Sequence, residues 1–398
     1  MSTGPLRAVL AEAMPERPFR VELWDGTALA ATNGHGPTFR LTSPVALGHV
    51  LRAPGQLGLG RAYVSGALEV DDVDVALDLL DRWSAPPADA RAKARLAAAA
   101  LRAGALRAIP YPPRTELAPR GRRHSIARDR RAVRHHYDVS NEFFTLMLDD
   151  SMTYSCAIWS RGAQTLEEAQ RTKLELVCTK LALQPGERVL DVGCGWGSFA
   201  LHAAREHGAH VTGITLSKPQ AALARERAAA AGLADRVHIR VADYRELRTE
   251  PFDAIASIGM VEHVGVAQID AYAARLAALL RPGGRLLNHG IARLRHGDPE
   301  AGPFSERYVF PDAAPLHLSR VLRALEAAGF ATAHVEGFAA DYARTLREWL
   351  SRLEARAAEA EALAGAERMR VWRVYLRAAR RGFESGFTSV YQVLGSRA

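Results

Sequence analysis

The chain has 398 residues, 48% hydrophobic and 24% charged, an ordinary globular composition and too long for one typical core, so two domains are expected. Its apolar runs, such as Leu96 to Leu101, are far too short to span a bilayer, and the first residues lack a signal peptide's apolar stretch. Three cysteines (Cys156, Cys178, Cys194) with no C-x-x-C pair support neither a disulfide framework nor a metal site and fit a reducing cytoplasm, while a formal net charge of +8 asks for an anionic partner, nucleic acid or membrane.

From Phe19 to Val70 the sequence is β-like in short pieces, FRVELWDG and TFRLTS, with a hairpin turn expected at Asp25-Gly26. Val73 to Trp83 reads as a helix that stops at Ser84, ahead of Pro86 and Pro87. Residues 1–90 thus form a small α+β domain, with a lipid- or dimer-related role and no catalytic constellation. An Ala- and Arg-rich helix, Arg91 to Arg107, opens a proline-broken linker over 91–125. Arg120, Arg122, Arg123, Arg128, Arg130, Arg131 and Arg134 crowd together. They read either as a solvated helix face or as a patch for lipid phosphate, at about 1 kcal/mol per basic residue near an anionic surface.

From Thr165 strands alternate with helical runs, the strands over Arg188–Val192, His210–Ile214, Val237–Val241, Ala254–Ile258 and Arg285–His289. Alternation of this kind predicts an α/β, doubly wound, Rossmann-like sheet over residues 126–398, with its ligand at the carboxyl ends of the strands. The first of these strands runs into Asp191-x-Gly193-x-Gly195-x-Gly197. Glycines there let a ligand approach the backbone where a Cβ would collide. The third glycine comes too early for the dinucleotide pattern G-x-G-x-x-G, and no Lys-Ser/Thr follows to make a P-loop. An acidic strand end with alternating glycines suits a nucleoside carrying an amino-acid group, S-adenosylmethionine, and hence a class I methyltransferase. Thr215, Leu216 and Gln220 follow the second strand, where the ribose and methionine moiety are expected, and Asp243 and Tyr244 follow the third, where adenine is expected. Glu262 and His263 follow the fourth, and His289 closes the fifth. The tail, Asp341 to Arg381, reads as helical, with Tyr342, Leu346, Trp349, Leu350 and Leu353 on one apolar face.

HYDVSNEFFTLMLDDSMTYSCAIW (His136 to Trp159), VLDVGCGWGSFA, GITLSKPQ, SIGMVEHVG, NHGI and DYARTLREW together resemble the cyclopropane-fatty-acyl-phospholipid synthase family, which includes the mycolic acid cyclopropane synthases. The resemblance runs from about residue 130 to the C-terminus, with a counterpart of the N-terminal domain of longer members. It implies methylation of a cis double bond in a phospholipid acyl chain, followed by proton loss and ring closure. It also implies a bound bicarbonate, held by Cys156, Glu262, His289, Ile291 and Tyr342, and cofactor contacts from Tyr137, Tyr154, Ser155, Gly193, Gly195, Thr215, Leu216, Gln220 and Tyr244. Gly290 stands where members often carry threonine, and Asn288 adds an amide ahead of His289; either could redirect the cation to an exocyclic methylene, the precursor of a methyl branch.

The expected partners are a phospholipid substrate and the anionic inner face of the membrane, met peripherally from the cytoplasm; a homodimer is left open. No base-flipping or RNA-binding signature supports a nucleic-acid methyltransferase. The reading of another class, a lipid-binding protein on an inactive methyltransferase fold, must explain why the glycine motif and all five expected anion ligands are intact.

Overall fold

A computed structural model describes residues 3–398 except 35, 88, 106–109, 118–120, 138 and 296–301, and not the side chains of 133–138. Tyr137 therefore lies outside the residues whose side chains are described, as does Arg134, and Arg120 is outside altogether. The chain forms two compact units: residues 1–116 with 364–378, and residues 117–363 with 379–398.

The first unit carries strands β1 (Arg20–Glu22), β2 (Ala28–Leu29), β3 (Thr38–Leu41) and β4 (Leu68–Val70), ordered β2-β1-β3-β4. The Asp25-Gly26 turn joins β1 to antiparallel β2, with Gly26 at φ +83° where a side chain would be strained. Between β3 and β4 the β-like expectation fails, because Val45–Arg52 and Gln56–Val64 are helices. Their Ala46 and Ala62 pack with Ala67 and Leu68, and small residues allow this close approach. A Cβ on Gly58 would lie 2.1 Å from the Ala53 carbonyl oxygen. The expected linker also differs: helix Ala90–Arg102 is part of this unit, placing Ala99 and Ala103 against Leu6, Phe19 and Leu23. Residues 364–378, read from sequence as part of the methyltransferase region, also belong here. Arg377 pairs with Asp74 at 3.0 Å, and Glu367 accepts from Thr115.

The second unit is built on an eight-stranded sheet. Its strands are β5 (Arg188–Val192), β6 (His210–Thr215), β7 (Val237–Val241), β8 (Phe252–Ile258), β9 (Leu280–Arg293), β10 (Leu316–His317), β11 (Phe330–Gly337) and β12 (Thr388–Arg397). The order is β7-β6-β5-β8-β9-β12-β11, with β10 beside β9. β5 to β9 pair in parallel and coincide with the five expected strands, while β12 runs antiparallel between β9 and β11. β11 and β12 had no counterpart in the sequence reading. β11 alternates only weakly and exposes much of its length, and β12 follows so long a helical stretch that periodicity gives it no separate signal. The helical tail is three helices, Ala339–Ala355, Ala357–Ala364 and Ala366–Glu384. Apolar layers on the two faces of the sheet, around Val177, Val189 and Ala200 on one side and Leu190, Tyr272 and Leu286 on the other, hold the strand ends that carry the site.

Candidate active site

Beyond the carboxyl ends of β5, β6 and β7 lies a pocket lined by Tyr154, Ser155, Asp191, Gly193, Gly195, Thr215, Leu216, Gln220, Asp243 and Tyr244. These are all the expected cofactor contacts with described side chains. The turn after β5 is made by Gly193 and Gly195, at φ +80° and +52°. A Cβ on Gly195 would meet nothing within 4 Å, so the space beside it is open. Asp191 is buried, and its Oδ2 has no hydrogen-bond partner. Burial pushes its carboxyl up to about 7 against the pull of the Lys173 ammonium. A buried acceptor beside an open glycine turn fits the amino group and backbone-hugging path of S-adenosylmethionine.

The rest of the pocket wall is tied up in internal bonds. Thr215 Oγ1 donates to Gln220 Oε1 at 2.8 Å, and Ser217 caps the following helix. The Asp243 carboxylate accepts from Arg245 at 2.7 and 2.8 Å, and the same guanidinium reaches Asp129 at 2.8 Å. Tyr244 is edge-on to Tyr272, whose hydroxyl donates to Asn288 Oδ1 at 2.9 Å. Asn288 is thereby held by Tyr272 of helix Ile269–Leu279.

The five expected anion ligands do not line this pocket; Cys156, Glu262, His289 and Tyr342 are buried, and Ile291, two residues after His289 on β9, is partly buried. Cys156 Sγ–H points to the carbonyls of Ala157 and Phe338, at 3.3 and 3.8 Å, and burial raises its thiol far above the usual range. The His289 ring stacks on Phe338 at 6.5 Å. Tyr342, one turn beyond Phe338, packs against Phe383 at 4.6 Å and Trp349 at 6.2 Å. Trp349 in turn stacks on pocket-lining Tyr154 at 5.0 Å, which links the two layers.

His289 has a defined protonation pattern. Glu336 and Gln392 Oε1 both accept from the Lys180 ammonium, at 2.6 and 2.7 Å. This turns the Gln392 Nε2 toward His289 Nδ1, 3.1 Å away, so Nδ1 accepts and the ring proton sits on Nε2. Burial, then the Lys173 and Lys180 charges, pushes the imidazolium down to about 3, so the ring is neutral at neutral pH. Nε2 is buried with no partner. Glu262, in the short helical turn after β8, mirrors this: Oε2 is buried and unpartnered, although its own and the Ile291 backbone N–H bond the carboxylate. Burial lifts this acid to about 7.

Gly290 follows His289 on β9. A Cβ there would stand 2.1 Å from Val261 and 3.2 Å from Glu262 Oε2, so this register leaves no room for a threonine side chain. Lys173 is the residue that sequence reasoning missed. It is 1% exposed, lines the pocket and donates to Ser155 Oγ at 3.0 Å. Burial draws its ammonium down to about 8, against the Asp149 carboxylate that favours the charge. Its one sequence signal was a lysine on the mostly apolar buried face of helix Leu166–Lys180, which also carries Gln170.

The family profile of mycolic acid cyclopropane synthetase matches residues 124–393. The chain belongs to that family. It is 38% identical to a probable fatty acid methyltransferase of Pseudomonas putida, over 95% of this chain and 91% of the relative. It is 34% identical to the cyclopropane-fatty-acyl-phospholipid synthase of Escherichia coli, over 92% of this chain and 90% of that protein. The solved structure of a mycolic acid cyclopropane synthase complexed with SAH and CTAB matches with a TM-score of 0.64 and 34% identity, covering 67% of this chain and 98% of that one. As a member of the family the chain is an S-adenosylmethionine-dependent methyltransferase on the class I fold.

Proposed function

We propose that this enzyme adds a one-carbon unit from S-adenosylmethionine to the cis double bond of unsaturated phospholipid acyl chains and closes it to a cyclopropane with the help of a bound bicarbonate. The observation that carries the reading is that two of the expected anion ligands each keep a buried, unpartnered atom, Glu262 Oε2 and His289 Nε2. Unsatisfied buried polar groups cost roughly 1–3 kcal/mol each, so a pair of opposite hydrogen-bonding character suits a small polar guest. His289 offers a fixed donor, and Glu262, braced by the Ile291 backbone N–H, a proton held near neutrality. Cys156 and Tyr342 complete the set that the family resemblance assigns to bicarbonate, which would supply a base for the proton lost on ring closure. Asp191, the Gly193–Gly195 turn and Lys173 would position the cofactor, whose sulfonium supplies an electrophilic methyl. The aromatic layer of Tyr154, Trp349, Tyr342 and Phe383 excludes water from a reacting cation and offers it ring faces.

The test is mass spectrometry and NMR of phospholipid fatty acids from a host expressing the chain, with turnover measured in bicarbonate-stripped and restored buffer. A methylene mass gain with ring protons, dependent on bicarbonate, is expected; full activity without bicarbonate overturns the mechanism. A second reading, a methylene or methyl-branched product, is favoured by Gly290 and by a 38% identical relative named a fatty acid methyltransferase. NMR of the same product separates the two.

Access to such a substrate requires docking at a membrane, from the cytoplasmic side in this reading; among the described residues no helix is long and apolar enough to cross one. The arginine-rich stretch is partly neutralised within the chain. Arg128 pairs with Asp312 at 2.5 Å, Arg123 with the same acid at 3.3 Å, and Arg130 with Glu246 at 3.3 Å. Arg122 is exposed and offers a contact for lipid phosphate. Changing Arg122 to Gln should weaken binding to anionic vesicles by about 1 kcal/mol, the more so at low salt. Unchanged sedimentation of the folded variant removes this stretch from the membrane contact.

A further inference from the structure

Away from the cofactor pocket, three residues of the second unit bring metal-ligating atoms together. Cys178 lies in the last turn of helix Leu166–Lys180, and His202 and His207 lie in helix Ser198–His207. One ligating atom from each lies within 4.8 Å of the other two. Glu175, one turn before Cys178, sets its Oε2 3.1 Å from Nε2 of both imidazoles. His207 can join His202 although five residues separate them, because it is the helix's last residue and the chain turns at Gly208, φ +66°.

One carboxylate oxygen facing two imidazole nitrogens is also how ligands stand around a tetrahedral ion. With bonds of about 2.0–2.1 Å, neighbouring N and O ligands lie roughly 3.3 Å apart. A thiolate, two imidazoles and a carboxylate are the donor set of a borderline-soft divalent ion, and their two negative charges balance it. Cys178 is fully buried, the His202 and His207 side chains are 13% and 19% exposed, and Glu175 is 48% exposed. The ligands are thus largely desolvated, with an approach from the carboxylate side.

We propose that Cys178, His202 and His207, with Glu175, bind one zinc-class divalent cation. The ion would fasten together the far ends of two helices that border the cofactor pocket through Lys173, Ser198 and Phe199. His207 lies about 13 Å along its helix from Ser198, so the ion takes a structural place and touches no reacting atom. The competing account is a buried cysteine next to an ordinary surface ion pair.

Cobalt(II) added to the chelator-treated full chain distinguishes them. One equivalent should bind, with a thiolate-to-cobalt charge-transfer band and visible bands of tetrahedral intensity, and zinc should displace it. The charge-transfer band should vanish in Cys178→Ser and persist in Cys194→Ser. Glu175→Gln should weaken zinc binding about 10–100-fold. Zinc should raise the parent's Tm and leave that of Cys178→Ser unmoved. If Cys178→Ser does not fold, His202→Gln and His207→Gln carry the same test at partly exposed positions. A folded parent with no charge-transfer band, or a band that survives loss of Cys178 or of both histidines, overturns the site.

Discussion

On the cofactor wall, Thr215 bonds Gln220 and Asp243 bonds Arg245, whereas behind it Glu262 and His289 each keep a buried polar atom without a partner. Apart from the buried Asp191 Oδ2, these wall groups are satisfied by bonds within the chain. The inner layer is dry, and dry polar groups gain most from a ligand that matches them. In the proposed mechanism the two regions take separate tasks: the wall binds the cofactor, and the inner layer acts after methyl transfer. Lys173 reaches both, by lining the pocket and by lowering the charge tolerance of His289.

The sharpest way to break this division is Glu262→Gln, which keeps the shape and removes the titrating proton. It should slow product formation roughly 10²–10⁴-fold, as for other lost acid–base groups, while S-adenosylmethionine affinity from calorimetry stays within a few-fold. A parallel fall in affinity would merge the two regions into one. The converse is Gly195→Val. At φ +52° beside open space, a branched side chain is both strained and in the cofactor's path. Affinity should drop at least about 100-fold, some 2.7 kcal/mol, in a variant that keeps its fold. Calorimetry showing parent-like binding would remove the cofactor assignment.

Gln392→Leu probes the inner layer alone. It removes the donor to His289 Nδ1 and leaves the Lys180–Glu336 pair, so the imidazole loses its single tautomer. Turnover should fall about 10–100-fold, the usual cost of losing a residue that orients a histidine. Nitrogen NMR of the ring should change from one tautomer to a mixture; an unchanged spectrum would refute the relay.

The smallest effect concerns stability. The Asp191 carboxyl is raised by burial from 3.8 to about 7. The folded state therefore holds that proton more tightly than the unfolded one, and its contribution to stability is lost as pH rises from about 4 through 7. At most about 1.4 kcal/mol per pH unit is involved. Asp191→Asn should accordingly gain Tm on the parent between pH 5 and 8. Added S-adenosylmethionine should favour the parent, whose carboxylate can meet the amine. A pH-independent difference would show that Asp191 does not titrate in this range.

Sequence alone reached the elements whose signals are local. β5 through β8 carry β-branched residues and β9 an aliphatic Leu286-Leu287 pair, and the glycine turn announces itself because glycine takes positive φ most readily. The family motifs marked Cys156, Glu262, His289 and Tyr342 by residue type and order, without saying where they lie. Other features depended on distant segments meeting. β12 inserts between β9 and β11 and brings Gln392 to His289, across a separation of 103 residues that no window of sequence spans. Lys173 gains its charged neighbours only on folding, and Gly290 is explained only by the Val261 side chain pressed against it. Cysteine spacing likewise offered no metal pattern, since Cys178, His202 and His207 approach through the packing of two helices. Backbone conformation is dictated largely by neighbours in the chain, whereas electrostatics, burial and ligand geometry depend on neighbours in space.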